Sequence, residues 1–164
     1  MAVMDFNKRL ERAIVRGEQT RDEKLRRQNE QLLSEAELKT LHSRCRVELS
    51  ERIEHCLQRL ADHFPGFRFE TIVSEDGWGA KVSRDDLELR GGGRKENRYS
   101  RLELLIRPYS STRIVELAAK GTIYNKEVVN RTHYQFLSQV DVDSFAELID
   151  LWVLEYAEKY AARQ

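Results

Sequence analysis

Chemistry needs side chains that converge, so the residues to weigh first are the histidines and cysteines. His42, Cys45, Cys56 and His63 fall on nearly one face if their segment is a single helix, and that set would suit a zinc-like ion. Spacing argues against it. His42 and His63 would stand about 31 Å apart along such a helix, whereas zinc draws its ligands to about 2.0–2.3 Å. At most His42 and Cys45, at i and i+3, could share an ion with ligands from elsewhere. The plainer expectation is a core-facing Cys beside a boundary His, with no metal and no cofactor. Cys45 and Cys56 would be roughly 16 Å apart on the helix, too far to bridge within the chain. Reduced, part-buried thiols are expected, with a bridge between subunits as the alternative.

Other catalytic patterns fail for stated reasons. Neither Cys has a nearby motif, and no G-x-S-x-G elbow exists. Ser110-Ser111-Thr112 reads as a turn. His133 is the one histidine of the strand region and could act as a base beside Arg107, Glu116 or Lys120, but a solvated strand histidine is the expectation. Asp85 and Asp86 point to opposite sides if extended, which makes a poor acid–base pair. Gly91-Gly92-Gly93-Arg94-Lys95 lacks the phosphate-loop spacing, and Gly77-Trp78-Gly79 is no dinucleotide fingerprint. No catalytic residue is expected. An enzyme would require a pocket that the sequence does not announce.

Nucleic-acid binding has one candidate. Arg90 to Arg101 holds five cations against Glu96, and the glycines before Arg94 read as a flexible loop reaching to about Ser100. Arg94, Lys95, Arg98 and Arg101 could meet phosphates and Tyr99 could stack on a base. The whole-chain balance opposes this, because Lys plus Arg and Asp plus Glu each total 28.

Length and composition bound the rest. The 164 residues suit one domain with an extension. Charged residues are 34% and hydrophobic residues 40%, enough for a modest core. No stretch has the roughly 20 apolar residues of a membrane span. Asp5, Lys8 and Arg9 interrupt the start, with no apolar leader region after them. No membrane association and a cytoplasmic location are therefore expected.

The elements that would position these side chains are legible as changes of period. Residues 1–36 read as a charged helical arm, interrupted or frayed around Gly17, in which Leu10, Ile14, Leu25, Leu32 and Leu33 are the large apolar groups that follow Phe6. Such an arm has little to bury and is expected to be mobile without a partner. Ser34 and Glu37 form a capping box. From Leu38 to Phe64 apolar residues recur at 3 and 4, which predicts one amphipathic helix stopped by Pro65-Gly66. After Gly66 the period falls to 2. About five strands follow, with Gly77-Trp78-Gly79 as a turn and a kink at Asp85-Asp86. The last runs near Glu127 to Leu137, with Tyr134 and Phe136 inward. A second capping box, Ser144 and Glu147, opens a final helix whose Leu151 and Leu154 lie off its main apolar face. Residues 37–164 thus predict an α+β domain, an antiparallel meander with one face covered by the two helices. Arg107, Glu116, Lys120, Arg131 and His133 would then lie on the open face and bind a partner. The expected role is a non-catalytic interaction or adaptor protein acting as a homo-oligomer.

Three pieces together carry a resemblance: Leu41 to Phe67, the Gly77–Leu87 segment containing Val82-Ser83-Arg84-Asp85-Asp86, and Asp143 to Tyr160. Over about residues 40–162 the chain resembles an uncharacterised family of planctomycete bacteria, a resemblance that implies no activity, cofactor or site residue. In element order it also resembles small dimeric secretion chaperones. Those are usually acidic and carry a helix within the strand series, and this chain departs from both features.

Overall fold

The computed structural model describes residues 2–32, 34–90 and 94–163, with side chains for 5–29, 34–87 and 97–163. Two helices, α1 (Ala2–Leu32) and α2 (Glu35–His63), precede the sheet, and α3 (Val142–Ala162) follows it. The strands are β1 (Arg68–Ser74), β2 (Gly77–Arg90), β3 (Arg94–Ile106), β4 (Ile114–Ile123) and β5 (Lys126–Phe136). Each pairs antiparallel with its neighbours in sequence, in the order β1-β2-β3-β4-β5. This is the α+β meander that the change of period predicts.

The α2 helix begins where its capping box places it, with Ser34 Oγ accepting the Glu37 N–H at 3.2 Å. Its stripe of Leu38, Cys45, Leu49, Ile53, Leu57 and Leu60 is buried throughout. It stops at Pro65-Gly66, where Gly66 takes φ +106°, a conformation open to glycine. There Arg84 of β2 donates to the Pro65 carbonyl at 2.6 Å, which ties the helix end to the sheet.

One sheet face is apolar. Ala80 and Val82 of β2, Leu102, Leu104 and Ile106 of β3, and Val115, Leu117 and Ala119 of β4 are all buried there beneath α2 and α3. Tyr156 and Tyr160 of α3 are fully buried in the same layer. The Tyr156 hydroxyl donates to the Thr122 carbonyl at 2.8 Å, so its burial leaves no unpaired polar atom. Phe64 and Phe67 each meet the Tyr160 ring edge-on at 5.0 Å. Tyr124 and Asn125, with φ of 48° and 70°, make the tight β4–β5 turn that such paired positive angles favour.

Five local expectations are corrected. The α1 helix runs unbroken through Gly17, because one interior glycine costs only about 1 kcal/mol. The β1–β2 turn falls at Glu75-Asp76, and Gly77-Trp78-Gly79 belongs to β2. A Cβ on Gly79 would lie 1.9 Å from the Leu104 carbonyl oxygen, so this glycine serves the close approach of β3. The β2 strand passes straight through Asp85-Asp86. Arg94 to Ser100 is strand, paired with Arg84 to Arg90, and not loop. Gly91, Gly92 and Gly93 lie outside the described residues, as do Leu33 and the side chain of Leu32. Finally, the Ser144–Glu147 box does not form. Asp141 caps α3 by accepting the Asp143 N–H, while Ser144 Oγ donates to the Asp141 carbonyl at 2.9 Å.

Partner strands end early on both sides of this hairpin. The β1 pairing stops at Ser83 and the β4 pairing starts at Arg101. Beyond these points β2 and β3 ladder only with each other, and the β4–β5 turn braces β3 as well: the Asn125 N–H donates to the Tyr99 carbonyl at 2.9 Å and Asn125 Nδ2 donates to the Asn97 carbonyl at 2.9 Å.

Two glycines should respond oppositely to a methyl group. Gly79→Ala should cost about 3 kcal/mol or more in urea unfolding, because backbone must move. Gly17→Ala, with nothing within 4 Å, should be neutral or stabilising by up to about 1 kcal/mol.

Candidate functional site

The open face of the sheet carries charge in ordered rows. Register places Glu70, Lys81, Glu103 and Lys120 in one line across four strands. Lys81 meets Glu70 at 3.5 Å, Arg101 meets Glu103 at 3.1 Å and Arg107 meets Glu116 at 3.6 Å. Two of these pairs run across strands and one along β3; opposite-sign pairs of this kind stabilise the sheet modestly and leave its face near neutral. Arg107, Glu116 and Lys120 are therefore together on this face as expected.

Arg131 and His133 are not. The β5 register opposes Arg131 to Ala119 and His133 to Leu117, both buried on the helix side. Arg131 pairs with Glu155 of α3 at 2.9 Å. The His133 ring lies edge-on to Phe145 at 5.1 Å, and neighbouring Gln135 donates to Ser144 Oγ at 2.7 Å. Tyr134 is the residue that faces out, 57% exposed. One position of slip reverses a strand. Here the edge strand meets the flank of α3, where polar partners replace apolar ones.

The basic segment does not form one patch. Arg98 shares the helix side of β3 with Ser100, and its guanidinium lies over the Tyr124 ring at 5.3 Å. Tyr99 and Arg101 fall on the opposite side by alternation, with Arg101 held by Glu103. The side chains of Arg94 and Lys95 lie outside the described residues.

The cysteines and the buried histidine are tied into structure. His42 is 3% exposed. Its Nε2 donates to the Arg107 carbonyl at 3.1 Å, and burial holds its pKa below the ordinary value. Cys45 is buried, and burial likewise raises its thiol pKa. Cys56 Sγ donates to Asp150 Oδ1 at 3.2 Å, and Arg52 Nε donates to the same oxygen at 2.9 Å. Burial first, then the bond to Asp150, push the Cys56 thiol up to about 11, so it is no thiolate nucleophile at neutral pH. Among the described residues no three metal-ligating side chains converge.

Two surfaces remain uncovered. Between α2 and α3 runs a groove of about 650 Å³, floored by Leu60, Phe64, Val153 and Ala157. Arg52, His55, Arg59 and His63 follow its α2 edge. Of these, Arg59, His55 and His63 have no ion pair or hydrogen bond among the described residues. Leu154, 63% exposed, lines the α3 side, and Leu151, 58% exposed, lies outside the lining. Sequence reasoning saw those two leucines leave the apolar face but not the groove, which depends on how far apart two distant helices lie. The second surface is α1. Among its residues 5–29 only Arg26 is half-buried, over the Phe136 ring at 4.9 Å.

Two titrations follow. Cys56 should alkylate slowly at pH 8.5 and Asp150→Asn should speed it, because a carboxylate that favours the thiol is lost; iodoacetamide rates read this. His42 should make the fold less stable as pH drops below about 6.5, where the unfolded histidine takes a proton that the folded one refuses. Urea midpoints at pH 5 and pH 7.5 should differ less in His42→Gln, which keeps an N–H donor.

No protein-family model matches the chain, and neither a curated protein nor a solved structure matches it.

Proposed function

We propose that this chain is a non-catalytic interaction protein that acts as a homo-oligomer, an adaptor whose arm joins copies and whose body offers a second surface to a client. One observation carries the reading: a 31-residue helix leaves Phe6, Leu10, Ile14, Val15 and Leu25 exposed together. Isolated helices are marginal in water, and packing of an apolar face supplies most helical stability. A helix about 46 Å long in which, among side chains 5–29, Arg26 alone is half-buried is therefore matched to something outside its own body.

The chemistry of the body agrees. Burial raises the pKa of the Cys45 and Cys56 thiols and lowers that of His42, so these three groups are engaged in packing. The groove between α2 and α3, apolar in its floor and with Arg59 on one edge carrying no ion pair among the described residues, suits a client segment whose apolar residues are accompanied by a carboxylate. Among the described residues no helix is long and apolar enough to cross a membrane.

Sedimentation of the full chain at tens of micromolar tests the assembly. An oligomer is expected, and Leu10→Glu combined with Ile14→Glu should give monomer with an unchanged urea midpoint for the body. Leu154→Glu should leave the assembly intact. A wild-type chain that is monomeric at every concentration overturns the reading, and dissociation by Leu154→Glu alone moves the self-contact from the arm to the groove.

A further inference from the structure

We propose that α1 pairs with α1 of a second copy as a parallel, in-register two-helix coil; this deepens the homo-oligomeric reading and rests on it. Three observations lead there.

The first is phase. Phe6, Leu10, Ile14, Gly17, Arg21, Leu25 and Gln28 recur at spacings of 4, 4, 3, 4, 4 and 3, an 11-residue repeat of about 3.67 residues per turn. That value is close to the period of an unstrained helix. The seven positions therefore stay within one narrow seam along a nearly straight rod, and little supercoiling is needed to keep two rods in contact.

The second is direction. At about 100° per residue, Arg26 sits roughly 150° round the helix from this seam. The body holds α1 by Arg26, so the seam faces away from the body. A partner helix can lie along it without displacing the one internal contact that α1 makes through a half-buried side chain.

The third is charge, and it fixes the orientation. Residues that follow seam positions form one flank with Glu11, Glu18 and Asp22, and Arg26, held by the body, is its one cation. Residues that precede them form the other with Arg9, Arg16, Lys24 and Arg27, and Asp5 is its one anion. Two helices that pack in parallel bring opposite flanks together, while an antiparallel pair brings like flanks together. The parallel pair sets an acidic flank against a basic one along both edges, with Arg16 nearest Asp22 of the partner subunit. The antiparallel pair sets carboxylates against carboxylates and guanidinium groups against ammonium and guanidinium groups. Charge thus works here as it does in pairing specificity generally, by penalising the wrong arrangement.

The polar seam positions fit the same register. Gly17 meets Gly17, which leaves the seam without a side chain there. Gln28 meets Gln28, and the two amides can hydrogen-bond. Arg21 already leans to Asp22, 3.8 Å away, on the acidic flank, which takes its charge out of the seam. Polar seam residues set register at a cost in stability, so the pair is expected to be reversible and weakened by salt.

Cross-linking reads the register directly in the full chain. Ile14→Cys should form a disulfide-linked dimer under mild oxidation, at least tenfold more than Val47→Cys, an exposed control on α2. An equimolar mixture of Leu10→Cys and Leu25→Cys chains should give no mixed dimer. Mixed Leu10–Leu25 dimers without Ile14 dimers would overturn the parallel register and leave the homo-oligomeric reading standing. An Ile14→Cys yield no higher than that of Val47→Cys, with a chain monomeric by sedimentation, would overturn both. Circular dichroism of each variant establishes that α1 is still helical.

Discussion

The body depends on the burial of one face of β3. Leu102, Leu104 and Ile106 are fully buried, and they sit at the middle of a sheet with water on its other side. A sheet covered on one face needs a cover of matching width. Here α2 and α3 lie side by side to supply it, and both Pro65-Gly66 and the Asp141 cap fix where those helices begin or stop. The close backbone approach at Gly79 serves the same end, since it seats β2 against β3 without a side chain between. Once that face is shut, each polar group near it must find a partner inside the layer. Tyr156 finds the Thr122 carbonyl and His42 finds the Arg107 carbonyl.

How much of this was legible in the sequence varied with how much core each segment touches. The α2 helix and the inner strands alternate cleanly because nearly every second or fourth residue is buried, so period and structure coincide. The β5 strand misled because its helix-facing residues are Arg131, His133 and Gln135, which satisfy themselves on Glu155, the Phe145 ring and Ser144. Its outward residues include Tyr134, so hydropathy pointed the wrong way. Arg94 to Ser100 misled for the opposite reason. Three glycines read as a loop, and the segment that pairs with Arg84 to Arg90 shows no alternation of apolar and polar residues to announce a strand. The Gly77-Trp78-Gly79 segment shows that glycine marks either a turn or a tight approach, and only the register decides which.

The candidate site was less legible than the fold. A groove is a property of the distance between two helices that lie far apart in the chain, and no local spacing encodes it. The arm was more accessible. Its poverty in apolar residues was plain, but its continuity through Gly17 was needed before seam and flanks could be seen as single lines. That continuity turns a loose collection of leucines and charges into a surface with an orientation. It also separates the two uncovered surfaces, one on the arm and one on the body, so that the proposed self-assembly and the proposed client binding need not compete.

The Arg52–Asp150 pair, 98 residues apart in the chain, carries a consequence for biosynthesis. All strand pairings are between sequence neighbours, so the sheet can zip up progressively with little loop closure. The docking of α3 on α2 is different, because it must wait for the C-terminal end of the chain. At about 5–20 residues per second of translation, the apolar stripe of α2 would stand without its final cover for roughly 5 to 20 s. During that interval the nascent chain offers α2 to whatever chaperone or neighbouring polypeptide is at hand, and the late arrival of Trp152, Tyr156 and Tyr160 is the event that ends its exposure.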